Sequence, residues 1–154
     1  MMANGLTITV FGGSGFLGSH VCDQLSETGH KVRIFDCVES PWLRSEQEMI
    51  VGDLLDDIIL AKAIAGCDVV YNFAAIADME EALNNPIETV RVNVLGNVKL
   101  LEACRKAQVQ RYIHASTLYV YSREGGFYRC SKQSSEHYVE EYQHAYGLDY
   151  TILR

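Results

Sequence analysis

The chain has 154 residues, 48% of them apolar, enough for one compact domain with a buried core. Its net charge is −7 with no run of lysines or arginines, which argues against a nucleic-acid surface or an anionic membrane face as partner. Cys22, Cys37, Cys67, Cys104 and Cys130 are scattered without C-x-x-C spacing. They are expected as buried thiols in a reducing cytoplasm, with no disulfide frame and no metal site. Residues 1–5 carry no basic segment followed by an apolar one, and no stretch approaches the ~18 apolar residues of a membrane span. The expectation is a soluble cytoplasmic protein.

The apolar run at 6–11 is a first strand, and it leads straight into Gly12-Gly13-Ser14-Gly15-Phe16-Leu17-Gly18. An amphipathic helix follows at 19–27. Thr28-Gly29-His30 stops it, and a second strand at 32–35 ends at Asp36. Further strands are expected at 48–52, 69–75, 111–116 and 150–153, with helices at 57–65, 86–108 and 131–146. Pro86 opens the long helix, a position where its missing N–H costs nothing. Strand and helix alternate throughout, and the strands are almost continuously apolar, so the fold is α/β with a doubly wound parallel sheet covered on both faces. Ligands in such sheets sit at the carboxyl ends of the strands, where Gly12, Asp36, Asp53, Ala74, Ala75, Ser116 and Thr117 all fall.

A strand that enters a glycine turn and leaves as a helix presents unpaired N–H groups and a positive dipole end to a diphosphate. Gly12 permits the tight turn, Gly15 lets the backbone approach the pyrophosphate, and Gly18 lets the helix pack close to the strand. Asp36 lies 24 residues beyond Gly12. A carboxylate there accepts hydrogen bonds from the adenosine ribose hydroxyls and repels a 2′-phosphate, which favours NAD over NADP. Asp53 reads either as a cap for the helix after it or as a partner for the adenine edge. Asn93 is mid-helix, where an amide wants a partner: packing, an active-site role and plain exposure all remain open.

Tyr128 and Lys132 are four apart and share one face if helical. Making a phenol a base near neutral pH takes about 4 kcal/mol, which an adjacent ammonium and a positive nicotinamide ring can supply. Thr117, at the end of the fifth strand, can bond the same substrate oxygen. The histidines show no ligand spacing, and Trp42 and the tyrosines read as packing.

Together these segments resemble an extended short-chain dehydrogenase/reductase of the NAD-dependent epimerase/dehydratase family. The resemblance rests on the glycine motif with Phe16 and Leu17, on Asp36, on Asp53-Leu54 and on Asn72-Phe73-Ala74-Ala75. Asn93-Val94-x-Gly96, Ser116-Thr117-x-x-Val120-Tyr121 and Tyr128-x-x-x-Lys132 complete it. It implies a Rossmann domain over 1–154 that binds NAD through Gly12, Gly13, Ser14, Gly15, Phe16, Leu17, Asp36, Asp53, Leu54, Phe73, Ala74, Ala75 and Lys132. It also implies Tyr128 as base, Lys132 lowering the Tyr128 pKa and holding the nicotinamide ribose, and Thr117 positioning a sugar hydroxyl. The implied substrate is a nucleotide-sugar, oxidised by reversible hydride transfer. The implied assembly is a homodimer through the helices at 86–108 and 131–146.

Three departures qualify these implications. Phe11 stands where the family often has Thr, a harmless change because the backbone of the turn does the binding. Leu118 and Tyr119 follow Thr117 where family dehydratases carry acidic residues, which favours an epimerase or reductase over a dehydratase. The loop from Tyr121 to Tyr128 is short. Family members also continue for roughly as many residues again, so the resemblance implies a cofactor half with its C-terminal substrate domain absent. A non-catalytic NAD-binding module or sensor is the competing expectation.

Overall fold

The computed structural model describes residues 5–154. Six strands form one parallel sheet in the order β3-β2-β1-β4-β5-β6. They are β1 (Thr7–Phe11), β2 (Lys31–Asp36), β3 (Glu48–Val51), β4 (Val69–Asn72), β5 (Arg111–Ala115) and β6 (Asp149–Leu153). β1 pairs with β2 on one side and β4 on the other, so the strand order reverses at β1 and opens a crevice beyond its carboxyl end.

Helix α1 (Phe16–Glu27) packs on β1 and β2, where Ile8, Val10, Val32 and Ile34 meet Cys22 and Leu25. On the other face α2 (Asp57–Ile64), α5 (Asn97–Lys106) and α6 (Gly126–Tyr146) close over Phe11, Phe35, Val70 and Tyr112. Two short helices, α3 (Met79–Asn84) and α4 (Pro86–Val90), precede α5. Alternation of apolar strand and amphipathic helix produced this layering, as expected from the sequence.

Several local expectations are corrected. The first helix starts at Phe16 rather than 19, because the glycine turn delivers the chain directly into helical geometry. β4 ends at Asn72 rather than 75, where the Asn72 Oδ1 accepts the Ala74 N–H at 3.1 Å and turns the chain out of the sheet. α3 was not anticipated; Asp78 caps it by accepting the Glu81 N–H.

The long helix at 86–108 is interrupted by a π segment, Arg91–Gly96, before α5. A side chain at Gly96 would collide with Leu54, at 2.6 Å from its Cδ2, so the segment packs close to the loop before α2. Trp42 is 64% exposed and packs no core, and Cys37 and Cys130 are exposed while Cys22, Cys67 and Cys104 are buried. Among the described residues, no helix is long and apolar enough to cross a membrane.

Candidate active site

The turn after β1 is tight, as the glycine at its first position predicts. Gly12 has φ +75°, and a Cβ there would lie 2.6 Å from the Ala74 nitrogen, so the β1 and β4 ends nearly touch. A Cβ at Gly18 would collide with the Gly12 carbonyl oxygen, which brings α1 hard against the turn. Gly15 is the N-cap of α1 and makes no side-chain hydrogen bond, leaving the helix start to its own N–H groups. Asp36 braces the turn from β2: its Oδ2 accepts the Ser14 N–H at 3.0 Å.

Beyond the turn lies a cleft of about 490 Å³. Gly12, Gly15, Asp36, Asp53, Leu54, Phe73, Ala74 and Ala75 line it. Gly13 instead faces inward, where a Cβ would press on Ile34. Phe16 and Leu17 are 79% and 61% exposed and do not line the cleft. Asp53 does not cap α2; Asp56 does, accepting the Ile58 and Ile59 N–H groups. The Asp53 Oδ1 accepts the Leu55 N–H at 2.9 Å, which fixes its carboxylate at the cleft wall.

Sequence reasoning missed Cys37, Ile76, Glu81, Glu88 and Arg91 in the same wall. Arg91 donates to Glu88 at 2.9 Å, an i,i+3 pair that helical spacing could have flagged. Glu81 sits on α3 and was invisible without that helix. Burial and a hydrogen bond to Asp36 push the Cys37 thiol up, so it stays protonated beside the carboxylate.

A second cluster forms where β5 meets α6. Thr117 follows β5 and caps a 3₁₀ turn, Leu118–Tyr121, by accepting the Tyr119 N–H. Tyr128 lies in α6, which begins at Gly126 rather than 131, so Tyr128 and Lys132 do share a helix face. The Lys132 Nζ lies 5.8 Å from the Tyr128 ring centroid and donates to the Ala115 carbonyl oxygen at 2.7 Å. Burial pushes Lys132 down to about 8, opposed by the Glu136 charge. Tyr128 is moved up by burial, with the Thr117 hydroxyl pulling the other way. In the protein alone burial is the leading influence on Tyr128 and holds the phenol above its ordinary value.

Asn93 is buried and connects cleft to cluster. Its Oδ1 accepts the Ile76 N–H at 2.7 Å, and its Nδ2 donates to the Ile76 carbonyl and to the Ser131 Oγ. A buried amide with both N–H donors and its oxygen engaged sets the cleft wall relative to α6. Among the described residues no group of three or more His, Cys, Asp or Glu is placed to hold a metal ion.

A doubly wound parallel sheet with a glycine turn at its strand-order reversal is a Rossmann-type dinucleotide fold. The chain belongs to the NAD dependent epimerase/dehydratase family, which it matches over residues 8–154. It is 29% identical to a putative UDP-glucose 4-epimerase of Methanocaldococcus jannaschii, over 96% of this chain and 54% of that one. It is 36% identical to a 3-beta-hydroxysteroid dehydrogenase of Mycolicibacterium neoaurum, over 71% of this chain and 31% of the relative.

The solved UDP-glucose 4-epimerase of Thermotoga maritima with UDP-glucose superposes with a TM-score of 0.91 at 28% identity, over 97% of this chain and 55% of that chain. The Brucella ovis UDP-glucose 4-epimerase in complex with NAD gives 0.89 at 32%, over 97% and 51%. The chain thus spans about half the length of the epimerases it matches.

Proposed function

We propose that residues 1–154 form an NAD-binding domain, and that Thr117, Tyr128 and Lys132 serve reversible oxidation of a nucleotide-sugar hydroxyl, as in an epimerase or reductase. The observation that carries this reading is the convergence of Thr117, Tyr128 and Lys132 at the end of β5, tied through Asn93 to the glycine-turn cleft. The cleft fits the cofactor: Gly12 lets the turn lie against the Phe73-Ala74 backbone, the α1 start is uncapped by any side chain, and Asp36 stands at the ribose end. Gly12, Gly13, Ser14 and Gly15 shape the diphosphate turn, with Phe16 and Leu17 opening the helix. Asp53 and Leu54 face the adenine, while Phe73, Ala74 and Ala75 floor the cleft.

NAD⁺, when bound, supplies the hydride acceptor. Tyr128 takes the proton of the substrate hydroxyl, which the Thr117 hydroxyl holds against it. Lys132 keeps positive charge beside the phenol and binds the nicotinamide ribose. Positive charge is what Tyr128 needs, since burial, with Tyr119 adding to it, raises a phenol that already holds its proton at neutral pH. Leu118 and Tyr119 offer no carboxyl to protonate a leaving hydroxyl, which supports an epimerase or reductase over a dehydratase. The kinship to UDP-glucose 4-epimerases supports a UDP-sugar as substrate. The same reading takes in a homodimer through residues 86–108 and α6, where Ile87 and Val90 of α4, Leu95 of the π segment and Tyr138 of α6 stand exposed.

The test is Tyr128→Phe in a single-turnover assay with NAD⁺ and UDP-glucose, read as NADH absorbance. Removing the proton acceptor slows reduction by about 100-fold or more while NAD⁺ affinity stays put. Equal rates in the two proteins refute the assignment of Tyr128. Full NAD⁺ binding without turnover, also in a chain lengthened by downstream sequence to the span of its relatives, favours the non-catalytic module.

A further inference from the structure

Glu136 lies one turn beyond Lys132 on α6 and is 8% exposed. Arg154, directly after β6, grips it with both arms: Nε donates to Oε1 at 2.9 Å and Nη2 to Oε2 at 2.7 Å. The Arg154 guanidinium also stands 5.1 Å over the ring of Tyr121, in the turn that follows Thr117. One residue earlier on each strand, the Ser116 N–H donates to the Leu153 carbonyl at 2.7 Å. Three elements that share no sequence proximity therefore meet around one ion pair.

We propose that Glu136 and Arg154 are a positioning pair: Glu136 keeps the buried Lys132 ammonium charged, and Arg154 clamps the Thr117 turn against α6. The proposal rests on the reading of Thr117, Tyr128 and Lys132 as the reactive groups. Lys132 is 3% exposed, and its one protein hydrogen bond goes to a neutral carbonyl. The titratable groups facing it are Tyr128 and Glu136 on α6 and His114 on β5, and burial keeps His114 neutral. Glu136 is the carboxylate of that set.

A buried carboxylate is itself disfavoured, and the fork of Arg154 is what holds Glu136 below its usual range against burial. The guanidinium is suited to both tasks, since its plane pairs with a carboxylate at the edge and lies over an aromatic face. By contrast, Glu140, exposed one turn further along α6, lies 3.7 Å from exposed His137 and reaches the Arg154 charge only at a distance, so it serves as an internal control for Lys132.

The experiment follows the Lys132 ammonium by isotope-edited NMR in the full chain without cofactor, for wild type, Glu136→Gln and Glu140→Gln. Loss of the Glu136 charge enlarges the Lys132 acid dissociation constant by about threefold or more, while Glu140→Gln leaves it in place. An unchanged Lys132 titration in folded Glu136→Gln overturns the proposal, as does an equal shift in Glu140→Gln.

Should Glu136→Gln not fold, Arg154→Lys keeps the charge but loses the fork and the stacking. Hydrogen exchange of the Tyr119 and Ser122 amides, both bonded within the Thr117 turn, then rises about tenfold or more. Protection equal to wild type overturns the clamp. None of these readouts uses NAD, so failure of the cofactor reading and failure of the pair are seen separately.

Discussion

The Lys132 Nζ donates to the carbonyl oxygen of Ala115, the last residue of β5, across 2.7 Å. This bond fixes α6 to the strand that ends beside Thr117, and it does so with a charged group taken out of water. The cost of that choice is measurable. Burial holds Lys132 at about 8 in the folded chain, against an unfolded value near 10.5. Between those two pH values the unfolded chain binds the proton and the folded chain does not, so stability rises with pH across the window. Relative to Lys132→Met, the wild type gains about 3 kcal/mol from pH 7.5 to 10.5, read from urea unfolding of both proteins. A constant difference contradicts the burial of the ammonium.

His114 gives the acid counterpart. Burial, with the Lys132 charge adding to it, pushes the imidazole down to about 3. The unfolded chain takes up that proton near 6.5 and the folded chain does not, so stability falls as pH drops through the interval. Wild type loses about 2–3 kcal/mol more than His114→Asn between pH 7 and 4.5, measured by the same urea series.

The glycines separate steric from conformational cost. Gly12 and Gly29 both have positive φ, at +75° and +87°, but only Gly12 has backbone within reach of an added Cβ. Gly29→Ala costs about 1 kcal/mol, the strain alone. Gly12→Ala costs about 3 kcal/mol or more and removes dinucleotide binding, because the Ala74 backbone must retreat. Thermal melts and NAD⁺ titration of the two variants check the contrast.

Asp36 has a double task, bracing Ser14 and facing the cleft. Asp36→Asn weakens NAD⁺ binding by about tenfold and narrows the preference over NADP⁺, since the repulsion of a 2′-phosphate goes with the charge. Parallel titrations with the two cofactors measure both effects.

The layered sheet was legible because apolar runs and glycine stops repeat along the whole chain, and a doubly wound sheet admits few other arrangements. Gly12, Asp36 and the Ala74-Ala75 pair were legible because their place at strand ends fixes what they face. What escaped was short or long-range. α3 spans six residues, too few for a period to show, although Asp78 with Glu81 three positions on is a capping signal that was there to read. The early start of α6 was hidden by Gly125 and Gly126, which look like loop and serve as its entry. The π segment follows from Asn93 and Gly96 being held by Ile76, Ser131 and Leu54, partners far away in the chain. Glu136 and Arg154 are 18 positions apart, and only the fold makes them neighbours.

The central claim is that the cleft after β1 is a binding site selective for NAD. Calorimetric titration of the chain with NAD⁺ and, separately, NADP⁺ tests it most directly. The structure calls for one site, with NAD⁺ bound about tenfold or more tightly than NADP⁺. No heat with NAD⁺, from a chain whose circular dichroism melt shows it folded, contradicts the claim.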